Sequence, residues 1–80
     1  MIFWTLTAEW LDEAKEPQGA VIGVFNDFTL MVDEATKHEN ASEMLNSPQY
    51  SAASWELNEL GAQQVWVRSP NGEWHRIPKP

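Results

Sequence analysis

The segment Val65-Trp66-Val67-Arg68-Ser69-Pro70-Asn71-Gly72-Glu73-Trp74-His75-Arg76-Ile77 constrains the fold more than any other part of the chain. Two runs of alternating character flank Pro70-Asn71-Gly72. That composition suits a three-residue hairpin loop, a type I turn followed by a glycine in the left-handed region. Pairing Ser69 with Glu73 across the loop sets Arg68 against Trp74, Val67 against His75 and Trp66 against Arg76. One face of the ribbon then carries Val65, Val67, His75 and Ile77, and the other Trp66, Arg68, Trp74 and Arg76. A four-residue loop would put Val67 against Trp74 and Trp66 against His75, because a one-residue slip moves every side chain to the other face.

Period-two alternation marks the N-terminus as well. Ile2, Trp4, Leu6, Ala8 and Trp10 share one face, with Phe3, Thr5, Thr7 and Glu9 on the other, which is the pattern of a half-buried strand. Leu11 to Gly19 is charged and contains Pro17, and reads as a loop. Ala20 to Phe25 is rich in β-branched residues and reads as a second strand. Asn26-Asp27 suits a tight turn, with Phe28 to Val32 returning as a third strand. The alternative is a helix beginning near Asp27, since Phe28, Met31, Val32 and Ala35 also fit helical spacing.

Asp33 to Asn46 holds good helix formers with a thin apolar stripe. Ser47-Pro48 suits the cap and first position of a second helix, and Gly61 its left-handed end. Tyr50, Ala53, Leu57 and Leu60 would share one face of that helix, with Trp55 roughly opposite. The expected fold is α+β, a small antiparallel sheet of about five strands in the order β-β-β-α-α-β-β, with one or two helices packed on one face. Residues 1–77 are expected to form a single compact domain and 78–80 a short mobile tail.

Composition limits the chemistry. The chain has no cysteine, which removes disulfides and thiolate catalysis. Its longest apolar run, Gly19 to Phe25, is far shorter than the roughly 20 residues a membrane-spanning helix requires. The first residues lack the basic segment of a secretory signal, so a cytoplasmic location is expected. Glu34 and His38 stand four apart on the expected helix, but two ligands do not make a stable metal site. His75, among Val65, Val67 and Ile77, reads as a core histidine. No phosphate-binding glycine loop or nucleophile–base spacing is present. The chain reads as a non-enzyme that needs no cofactor.

Charge is the remaining guide. The formal net charge is −7, and it is unevenly placed. Eleven carboxylates against Lys15 and Lys37 leave −9 on residues 1–60, while Glu73 against Arg68, Arg76 and Lys79 leaves +2 on residues 61–80. So few cations argue against direct nucleic-acid binding, which depends on displacing counterions from phosphates. A large acidic surface instead favours basic protein partners.

Asp12, Glu13, Glu16, Asp33, Glu34, Glu39 and Glu43 are the candidates for imitating phosphates, and Trp66, Arg68, Trp74 and Arg76 for anchoring the partner, since Trp and Arg dominate binding hot spots; the alternative for that face is core tryptophans with the arginines reaching outward. The function expected is that of a small acidic interaction protein, monomeric or homodimeric. It would block a basic surface of a nucleic-acid-handling protein, as phage and mobile-element inhibitors of the anti-restriction or anti-CRISPR DNA-mimic type do. The alternatives are an assembly protein that self-associates through its sheet edge or Trp face, and a small ligand-binding domain or enzyme.

Overall fold

A computed structural model describes residues 1–41, 48–69 and 71–78. Alternating burial along Ile2–Leu11 makes β1: Leu6 and Ala8 are fully buried, while Glu9 is exposed. β2, Pro17–Phe25, returns antiparallel to it. The turn between them is closed by the Asp12 N–H donating to the Glu16 carbonyl at 3.0 Å and the Lys15 N–H donating to the Asp12 carbonyl at 2.9 Å. Lys15 occupies the left-handed region at φ 61°. Leu11 to Gly19 is therefore not the loop expected, because both strands run up to a five-residue turn. The residue in the left-handed position is a lysine, so the glycine that would have advertised the turn is missing.

A β-bulge shapes β2. Leu6 pairs with Gly23 but Thr7 pairs with Val21, leaving Ile22 as the extra residue. The bulge lets β2 turn both Ile22 and Phe25 toward the core, three positions apart, with Val21 and Val24 left outside.

α1 spans Phe28–Ala41. This replaces the third strand expected over Phe28 to Val32. The Asp27 carboxylate accepts from the Thr29 and Leu30 N–H groups at 2.8 and 3.2 Å, an N-cap that satisfies two donors no helix can pair internally. With the cap in place, helical spacing brings Phe28, Met31, Val32 and Ala35 onto one stripe, and Met31 and Ala35 become fully buried.

The second expected helix is also absent. Gln49–Glu56 is β3, paired antiparallel with β1 on the side away from β2. Ser47, its expected cap, lies outside the described residues, and Gly61 takes its positive φ of 79° in the β3–β4 connection. Tyr50, Ala52 and Ser54 alternate inward and are buried. Ala52 joins the core cluster with Met31 and Ala35 of α1, and pairing with both neighbouring strands overrides the weak strand propensity of alanine.

β4, Gln64–Arg68, and β5, Trp74–Arg76, complete one antiparallel sheet in the order β2-β1-β3-β4-β5. The β4–β5 register is the one expected: Trp66 opposes Arg76, Val67 opposes His75 and Arg68 opposes Trp74. The Ser69 N–H donates to the Glu73 carbonyl at 2.8 Å, and Gly72 sits at φ 90°. The chain order is thus β-β-α-β-β-β, a small α+β arrangement with one helix among the described residues. Because β2 and β3 both run antiparallel to β1 and flank it, α1 crosses over β1 to join them. The core, Leu6, Ala8, Met31, Ala35, Tyr50 and Ala52, lies between the helix and one face of the sheet.

Candidate interaction surfaces

Phe28 opens the helix and is the hub of the inner face. Its ring lies 5.0 Å from that of Trp4, 5.1 Å from Trp66 and 6.2 Å from Trp74, in edge or tilted contacts worth about 0.5–1.5 kcal/mol each beyond burial. Trp66 and Trp74, expected as partner anchors, therefore sit half-buried beneath the start of α1. Arg76 shares their face but is exposed on the edge strand.

At the other end of the helix Arg68 forks onto Glu39. Its Nη2 donates to Glu39 Oε1 at 3.1 Å and its Nη1 to Oε2, with only 14% and 26% of the two side chains exposed. Two residues assigned to different surfaces by sequence are thus brought together and neutralise each other. The Arg68 guanidinium also stands 5.8 Å above the ring of the fully buried Tyr50. The Tyr50 hydroxyl lies 2.6 Å from His38 Nδ1, and burial, followed by the charge of Glu39, pushes its pKa above the ordinary tyrosine value. His38 and Tyr50 carried no sequence signal for this role. Glu34 turns to Lys37 at 3.2 Å, so Glu34 and His38 do not form a joint ligand pair.

The remaining carboxylates are displayed. Asp12 is spent locally: the Glu16 N–H bonds its carboxylate at 2.9 Å and holds it below the usual aspartate range, and the Gln18 amide donates to it at 2.9 Å. Glu13, Glu16 and Asp33 are exposed and form no ion pair among the described residues. Glu43 lies outside the described residues. The β1–β2 and β4–β5 turns lie at the same end of the sheet, and the C-terminal end of α1 reaches it through Glu39 and His38. That end gathers Asp12, Glu13, Glu16, Glu39 and Glu73.

The outer face of the sheet has no covering layer among the described residues. Val21 and Val24 are 64% and 63% exposed, and Ile77 44%. His75 is exposed beside Glu73 at 3.8 Å, not in a core, because none of the described residues packs over this face. Trp55, expected on a helix, lies here on β3 opposite Phe3, its indole N–H donating to Thr5 Oγ1 at 2.9 Å.

A shallow, solvent-open cleft of about 530 Å³ lies at the end of the sheet away from both hairpin turns, lined by Trp4, Ser54, Glu56, Glu59 and Gln64 among others. Among the described residues no three His, Asp or Glu side chains converge on one point, and no helix is long and apolar enough to cross a membrane. No protein-family model matches the chain, and comparison with curated proteins and with solved structures yields no match.

Proposed function

We propose that this chain is a small non-enzymatic interaction protein that binds and blocks a basic surface of a nucleic-acid-handling protein, as DNA-mimicking inhibitors of phages and mobile elements do. The observation that supports this reading is the disposition of charge. Lys37 and Arg68 are tied to Glu34 and Glu39, while Glu13, Glu16 and Asp33 stand exposed and form no ion pair among the described residues. Negative potential over such a surface raises the local concentration of a basic partner and speeds encounter. Trp66 and Trp74 enter this reading as the bed for Phe28, which holds the helix and its carboxylates in place. Arg68 fixes the far end of the helix in the same way.

The experiment is competition. A basic, sequence-nonspecific DNA-binding protein is titrated with the chain in the presence and absence of duplex DNA. Mutual exclusion supports the reading; simultaneous binding of DNA and the chain, or no binding at low salt, overturns it.

A further inference from the structure

The outer face of the sheet carries an inference independent of the acidic surface. The solvated face of an antiparallel sheet normally alternates outward polar and charged residues with inward apolar ones. Here the outward positions of the central strands are Phe3, Thr5 and Thr7 on β1 and Ser51, Ala53 and Trp55 on β3. They are flanked by Val21 and Val24 on β2 and by Val65 and Val67 on β4. Among the described residues, charged and titratable groups on this face stand at its margin: Glu9 on β1, and Glu73 with His75 beside it at 3.8 Å. In a chain of net charge −7 this is a broad neutral surface.

We propose that this face is a homodimer interface, two copies packing sheet on sheet. Charge selects a second copy as the occupant. A basic partner would be drawn to the carboxylates at the hairpin-turn end and on α1, not to a surface without them. Two acidic copies can approach only where neither presents charge. Packing these faces about 10 Å apart leaves each helix on the outside, roughly 30 Å from its mate and well beyond the ~8 Å Debye length at physiological salt.

The size is sufficient for a weak dimer. Five strands about 4.8 Å apart and about seven residues long on average give a face of roughly 550 Å² in projection, just below the roughly 600–1,000 Å² per partner of specific interfaces and in the range of weak, transient ones. The contact is isologous, so one substitution is counted twice.

Sedimentation velocity across a concentration series tests this. The full chain is expected to dimerise with a Kd of about 10 μM. Val24→Glu and Val65→Glu should each weaken it at least about tenfold, whereas Leu30→Glu, which adds the same charge on an exposed helix position, should change it less than about threefold. A wild-type chain that stays monomeric to about 100 μM overturns the proposal. So does equal weakening by Leu30→Glu. A second readout needs no variant: the indole N–H resonance of Trp55 should shift with concentration while that of Trp66, on the helix-covered face, stays fixed. Movement of Trp66 alone places the contact elsewhere and rejects the proposal.

Discussion

Arg68 on β4 and Glu39 near the end of α1 form a two-pronged ion pair that closes the helix against the C-terminal hairpin. Twenty-nine residues separate them in sequence, and each would be a lone surface charge without the fold. A fork between a planar guanidinium and a carboxylate, largely shielded from solvent, is stronger than an exposed pair. A double-mutant cycle of Glu39→Ala and Arg68→Ala is expected to give a coupling of about 1–2 kcal/mol in urea unfolding, falling as salt is raised. A coupling near zero would mean that the pair does not lock the helix.

Phe28→Ala removes the ring shared by Trp4, Trp66 and Trp74. The expected loss is about 2–4 kcal/mol, because truncation deletes apolar contact and leaves a gap that the rigid indoles fill poorly. Urea unfolding followed by tryptophan fluorescence reads both the stability and the changed indole environment. Phe28→Leu should cost distinctly less.

How much of this was legible depended on whether a local signal pointed the same way as the tertiary packing. The C-terminal hairpin was readable to the register, because Gly72 and the alternation around it state the turn and the faces together. β1 was readable for the same reason. β3 was not, since Ser-Pro and Gly61 mimic helix punctuation, while its strand character comes from pairing with β1 and β4, which no local pattern carries. The start of α1 was ambiguous until the Asp27 cap resolved it. For the candidate site, sequence located the charges and the aromatics but could not show that Glu39 would be consumed by Arg68, or that Phe28 would occupy the Trp face.

Lys15 offers a stabilising change. A side-chain-bearing residue at φ 61° carries a steric cost that glycine lacks. Gly72 fills the equivalent place in the β4–β5 turn. Lys15→Gly is expected to stabilise the fold by about 0.5–1 kcal/mol, net of the extra freedom glycine gains on unfolding. A loss of stability on chemical denaturation would show that the turn is not strained at this position.

Tyr50 sets the alkaline limit. Burial first, then Glu39, raises its pKa above the ordinary tyrosine value of about 10, against the lowering effect of Arg68. The folded chain therefore holds the phenolic proton where the unfolded chain has released it. The resulting stabilisation is complete below the unfolded pKa and is lost as pH rises through the folded one. Stability of the wild type should fall above about pH 10 more steeply than that of Tyr50→Phe. At neutral pH Tyr50→Phe should cost about 1 kcal/mol through the lost hydrogen bond to His38. Tyr50 is the only tyrosine, so tyrosinate absorbance reports its titration directly.

The salt dependence of binding tests the central claim most directly. Affinity for a basic DNA-binding protein is measured across a salt series for the wild type and for a variant with Glu13→Gln, Glu16→Gln and Asp33→Asn. These three positions are exposed and take no part in the described ion pairs. The acidic-surface account predicts a wild-type Kd that weakens steeply with salt, and a variant that binds at least about tenfold more weakly at low salt with a shallower slope. A salt-independent affinity, or a variant indistinguishable from wild type, would contradict it.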